Sequence, residues 1–176
     1  MRGAHSWRAD PFAREIADRH YNRQKIGAKQ FVPPGRCVVF VIPREAFWIT
    51  SWPFAQYVKH AWAGAWVCSA FRNERRDLHL SSELIREALA ATHHEWQPPS
   101  EGMVTFVDRS KTRPKQDPGY CYLKAGFHVS GTHPCCADKP RETAGGLVAL
   151  HLGSDAIPAA HDALPQAFYE IARDLK

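Results

Sequence analysis

The chain has 176 residues, 44% of them hydrophobic and six of them Trp, which is enough to bury a core and excludes an intrinsically disordered protein. Its formal charge is +5, from 23 Lys and Arg against 18 Asp and Glu, which suits an anionic partner such as nucleic acid or a phosphorylated cofactor without requiring one. No segment approaches the ~20 apolar residues of a membrane span, the N-terminal MRGAHSWRADPF lacks a signal-peptide core, and five scattered Cys fit a reduced, cytoplasmic protein.

In chain order, Asp10-Pro11 starts a helix, with an N-cap followed by Pro at the first helical position. Phe12, Ile16 and His20 recur along one stripe, so the spacing puts His20 near the inner face at the helix end. Residues 23–35, rich in Gly and Pro, read as a loop. RCVVFVI (36–42) is a continuous apolar run, as in a strand covered on both faces. Pro43-Arg44-Glu45 turns the chain into an antiparallel neighbour, AFWITSW (46–52). A third strand is AWVCSAF (65–71). The clearest helix is SSELIREALAATHHEW (81–96), capped by Ser81 or Ser82, with Leu84, Ile85, Ala88, Leu89 and Thr92 as its buried face. GMVTFVD (102–108) is a fourth strand, a short irregular segment follows, and GGLVALHL (145–152) is the last strand. The segment 130–144 reads as a surface loop, and 166–175 as a C-terminal helix after Pro165.

Only the connection from 65–71 through the helix to 102–108 has the form of a parallel crossover. The expectation is a single domain of the α/β (α+β) class, a mixed sheet with helices on its faces, with its core over about 10–152.

That order, together with GYCYLKAGF (119–127) after the central helix and strand, resembles the GNAT acyltransferases. A narrower set of stretches, RHYNRQ (19–24), QFVPPGR (30–36), FRNE (71–74), SSELIREA (81–88) and MVTFVD before PGYCYLKAGF, is similar to the phage Mom-like proteins, a divergent GNAT-related group. The resemblance implies a transferase that adds a carbamoylmethyl group to the exocyclic amine of adenine in DNA, protecting it from restriction. It also implies a His-Tyr pair after the first helix and an Asp ending a central strand, here His20, Tyr21 and Asp108, with iron implicated and His20 and Asp108 as its ligands. The Gly-rich, pyrophosphate-holding turn of the GNAT enzymes is absent. Residues 75–82 contain no Gly, and only Ser81, Ser82 and neighbouring N–H groups stand where acyl-coenzyme A would bind.

The residues carry a reading of their own. Sites in open α/β sheets gather beyond the carboxyl ends of strands. Arg72, Asn73 and Glu74 leave one such end and Asp108 leaves the next, so the expectation is one shared hollow; the bland alternative is a solvated strand end with an Arg72–Glu74 ion pair. His20 suits either an iron ligand or a general base, and no HxxxH or HxH spacing supports a metal independently. In the GNAT family a Tyr before the Gly-Phe pair protonates the departing thiolate, which points to Tyr120, with Tyr122 as the fallback. Arg109, Lys111, Arg113 and Lys115 alternate directly after Asp108, an extended basic strip suited to a phosphate backbone or to plain solvent exposure. Trp48, Trp52, Trp62, Trp66 and Trp96 offer stacking faces for an extruded base if they are not core. His133-Pro134-Cys135-Cys136 lacks the spaced pairs of a zinc site. The competing functions are a small-amine N-acyltransferase using acyl-coenzyme A and a non-catalytic DNA-binding module.

Overall fold

Seven strands form one sheet in the order β1-β2-β3-β4-β5-β7-β6. They are β1 (Ala4–Ser6), β2 (Arg36–Ile42), β3 (Ala46–Trp52), β4 (Trp66–Asn73), β5 (Met103–Val107), β6 (His128–Val129) and β7 (Val148–Leu152). The helices are α1 (Pro11–Ala17), α2 (Ser81–Glu95) and α3 (Tyr120–Ala125). The computed structural model describes residues 4–112 and 117–160. The helix expected at 166–175 and the cations Arg113 and Lys115 lie outside the described residues.

Every neighbouring pair of strands is antiparallel except β4 and β5, joined by the α2 crossover. The mixed sheet flanked by helices is therefore observed as expected. Alternation within the strands explains the continuous apolar runs. Phe40, Ile42 and Trp48 face one way, into a core with Leu84, Ile85, Ala88 and Leu89 of α2. Val39, Val41, Phe47 and Ile49 face the other way, against Ala13, Ile16 and Ala17 of α1. Both faces are covered, so both sets must be apolar. The α2 face also buries a polar relay. Trp48 Nε1 donates to Thr50 Oγ1 (2.7 Å), Thr50 meets Thr92 Oγ1 (2.8 Å), and Thr92 donates to the Ala88 carbonyl (2.8 Å).

Several details correct the sequence reading. β1 and β6 extend the sheet at its two edges. The irregular segment is the helix α3, bounded by Gly119 and Gly126, both in the left-handed region (φ 74° and 109°). A side chain at Gly119 would also meet Leu150 Cδ1 at 2.3 Å, so this glycine lets α3 lie directly on the sheet. Neither Ser81 nor Ser82 caps α2: the N-cap is Leu80, which makes no side-chain cap hydrogen bond. Helix α1 ends at Ala17, so His20 lies in the turn beyond it. Trp48, Trp62 and Trp66 are wholly buried and Trp52 and Trp96 pack against the core, so these five are structural rather than stacking platforms.

Candidate active site

The two parallel strands separate. β4 and β5 pair only through Trp66–Met103, Val67–Val104 and Cys68–Thr105, although β4 runs on to Asn73 and β5 to Val107. A register shift explains the parting. Ile49 of β3 pairs with Ala70 and Thr50 pairs with Cys68, which leaves Ser69 as an extra residue. Such a bulge bends the strand that carries it. The opening is a cleft of about 960 Å3, in the size range of small-molecule sites. Cys68, Thr105 and Tyr122 form its floor, with the turn after α1, the β4 exit, the start of α2 and α3 as its walls.

His20, Tyr21, Arg72, Asn73, Glu74, Ser81, Ser82, Lys111 and Tyr120 all line this one hollow. Asp108 borders it through its backbone. The Tyr21 phenol makes a backbone hydrogen bond with Asp108 and feels the Asp108 charge. The three stretches 20–21, 72–74 and 108 therefore converge.

Tyr21 lines the cleft and is half-exposed there. Burial pushes its phenol above the usual value, and the Asp108 and Cys68 charges act in the same direction, so the group is protonated at neutral pH. His20 stacks on it with ring centroids 4.5 Å apart and meets Phe47 edge-on at 6.2 Å. Burial, and then the Arg72 cation, lower the His20 pKa, so the imidazole is neutral. Its Nδ1 accepts from the Asn22 N–H (3.2 Å), and the ring also makes a backbone hydrogen bond with Phe71. These contacts hold the His20 ring between backbone groups and the Tyr21 ring.

The β4 exit is an ion network with specified partners. Glu74 accepts from Arg19 Nε and Nη2 (2.9 and 2.6 Å) and from Arg72 Nε (2.7 Å), and Arg72 also donates to the Arg19 carbonyl (2.8 Å). Arg19, then Arg72, hold the Glu74 carboxyl below its usual value. Asn73 is buried and organises the turn into α2. Its Nδ2 donates to the His79 carbonyl (2.8 Å) and Ser81 Oγ (3.1 Å), and its Oδ1 accepts from the Arg75 N–H (3.0 Å). Arg72 and Asn73 thus belong to the strand itself, and Asn73 acts through the backbone.

Asp108 accepts both the Ser110 N–H (2.8 Å) and the Ser110 hydroxyl (2.7 Å) on Oδ1. These bonds to the charged form, first the hydroxyl and then the backbone, lower its pKa. They also close a 3-10 turn over Arg109–Lys111. The expected extended basic strip is therefore interrupted. Lys111 reaches the cleft, whereas Arg109 pairs with Glu142 (3.0 Å) away from it.

The two tyrosines of α3 separate cleanly. Tyr122 is buried, its hydroxyl 3.4 Å from Cys68 Sγ, among Trp48, Phe71 and Phe127. Tyr120 is exposed on the rim with the Lys124 ammonium 5.4 Å from its ring centroid. Sequence reasoning missed Cys68 and Thr105 in the floor, Arg19 as the partner of Glu74, and Arg76, Cys121 and Lys124 in the walls. Their only sequence signal is position: Cys68 and Thr105 are the last paired residues before the strands part.

The sequence resemblance implies iron on His20 and Asp108. The geometry does not fit it, because the His20 ring is engaged by backbone groups and the Asp108 side chain is not among those lining the cleft. Among the described residues, no group of three metal-ligating side chains includes either one. No helix among the described residues is long and apolar enough to cross a membrane. No protein-family model, no curated protein and no solved structure matches the chain.

Proposed function

We propose that this protein is a DNA-modifying transferase of the Mom type, substituting the exocyclic amine of adenine with a carbamoylmethyl group in the cleft between β4 and β5. The observation that carries the reading is the convergence of residues 20–22 and 72–74 with Val107, Lys111 and Thr112 on one hollow where parallel strands part. The chemical identity of the product rests on the sequence resemblance.

Within that reading each residue has a limited task. Asp108 is ionised, and its two Ser110 bonds hold the 3-10 turn that brings Lys111 to the cleft. Tyr21 is protonated and donates its O–H to the oxygen or leaving group of the donor. Arg72 is fixed by Glu74 and presents a positive charge in the wall, next to His20. Lys111, Arg76 and Lys124 line the opening and suit phosphate contacts. A base in duplex DNA must be extruded to enter, at a cost of a few kcal/mol that such contacts offset.

One observation favours a second reading, an N-acyltransferase using acyl-coenzyme A. The N-terminus of α2 opens on the cleft at Ser81 and Ser82, and Leu80 supplies no side-chain cap. Mass spectrometry of nucleosides from DNA co-expressed with the protein separates the two. A modified adenosine is expected. Its absence, together with thermal stabilisation by acetyl-coenzyme A, establishes the second reading, and DNA binding with neither result leaves a non-catalytic module.

A further inference from the structure

At the opposite end of the sheet from the cleft, two cysteines and three histidines gather in one corner. β7 runs antiparallel to β5, with Val148 beside Val107 at the cleft end and Leu152 beside Met103 at the other. His151 therefore lies near the start of β5, opposite Val104, with His128 of β6 paired to it across the other side. A 3-10 turn over Pro134–Cys136 brings two thiols against this edge. We propose that Cys135, Cys136 and His151 form a structural site for a thiophilic divalent ion of the zinc class.

The three ligand atoms lie within 4.8 Å of one another. Bonds of about 2.3 Å to sulfur and about 2.0 Å to nitrogen around a tetrahedral ion separate an S and an N ligand by about 3.5 Å. Cys135 Sγ and His151 Nδ1 are 3.6 Å apart. The imidazole is oriented for that role: His151 Nε2 lies 2.8 Å from the Glu101 carbonyl, and donating to it leaves the Nδ1 lone pair aimed at the thiols. A ligating histidine is usually held by its second nitrogen in this manner. Cys136 and His151 are buried, and Gly153, without a side chain, leaves room beside Cys135.

His133 stands beside Cys135 but caps the 3-10 turn by accepting the Cys135 N–H, so the three protein ligands leave the fourth position to an exogenous ligand. His133 Nδ1 is 3.1 Å from Cys135 Sγ, and its ring stacks on His128 with centroids 3.8 Å apart. Two thiolates with imidazole select zinc, cobalt or copper over magnesium or calcium, which take oxygen ligands. The bound ion would staple the segment 130–144 to β7, far from the cleft, so its task is to hold the fold rather than to catalyse.

The test uses the full chain without a polyhistidine tag, reduced and titrated with Co2+ as a visible probe, then with Zn2+. One Co2+ per chain with a thiolate-to-cobalt charge-transfer band is expected, displaced by Zn2+ with a rise in Tm. Cys135→Ser should remove the band while the far-ultraviolet circular dichroism stays unchanged, because Cys135 is exposed. His151→Gln should weaken binding by at least about 100-fold, the upper end of what even outer-shell losses cost. Cys37→Ser should leave the cobalt band unchanged. No charge-transfer band in the wild type, or a band unchanged in Cys135→Ser, would overturn the site. None of these readouts depends on DNA modification.

Discussion

The two ends of the β5–β7 pair are built differently. At the carboxyl end of β5 the neighbouring parallel strand bends away at Ser69, and the space fills with hydroxyls, guanidinium groups and carboxylates that hydrogen-bond to one another and to backbone. At the other end the strands stay paired, and the surrounding loops bring thiols and imidazoles into a small, partly buried corner. A wide hollow with hard, oxygen-rich donors suits an organic substrate, and a tight corner of soft donors suits an ion. On the proposed reading, one sheet separates reaction from bracing.

Substitutions at one end should leave the other intact, which makes the contrast breakable. The largest effect is expected from Tyr21→Phe, which keeps the ring stacked on His20 and removes only the hydroxyl. Product should fall by at least about 100-fold, the lower bound for a lost proton donor. Quantitative nucleoside analysis reads that loss, and cobalt spectra should not change. Gly119→Ala should cost about 3 kcal/mol in urea unfolding. It combines a left-handed backbone with a side chain driven into Leu150, and it dislodges α3 from the cleft end. Thr50→Val should cost about 2 kcal/mol, because it strands the buried Trp48 N–H at the α2 face.

Smaller effects sharpen the assignment within the cleft. His20→Phe should retain product to within about threefold while His20→Ala loses about tenfold, because stacking and not proton transfer is the role assigned to the ring. Equal losses in the two variants would make the imidazole a base. Glu74→Gln should cost under about 1 kcal/mol, since Arg19 and Arg72 are both partly exposed. Its pH signature has a defined sign. The Glu74 pKa is lower in the folded chain than its ordinary 4.5, so the contribution is complete above that value and is lost as pH falls through the lowered one. Acid unfolding of the wild type and Glu74→Gln should converge below that range.

Much of this architecture was legible from local pattern. The β2–β3 hairpin, the α2 face and the single parallel crossover follow from apolar runs, a turn and the distance between strands. The placing of Arg72, Asn73 and Glu74 at a hollow followed from the rule that sites lie beyond parallel strand ends, whereas His20 and Tyr21 were pointed to by the family resemblance. Other features depend on contacts distant in sequence. β1 and β6 are three and two residues long and form only because a neighbour supplies the ladder. α3 spans six residues between two glycines, too few for a periodic signal. The Ser69 bulge is visible only in the register with β3. His133-Pro134-Cys135-Cys136 lacked ligand spacing because the third proposed ligand, His151, arrives on β7 from 15 residues further on. The Trp residues were ambiguous, since stacking faces and core fillers share one composition.

The central claim is that group transfer occurs where β4 and β5 part, with Tyr21 in the wall of the cleft. Its most direct test is mass spectrometry of nucleosides from DNA co-expressed with the wild type and with Tyr21→Phe at matched soluble yield. The expected result is a carbamoylmethyl-modified adenosine with the wild type, reduced by at least about 100-fold with Tyr21→Phe. Equal yields of that nucleoside from the two proteins would contradict the account.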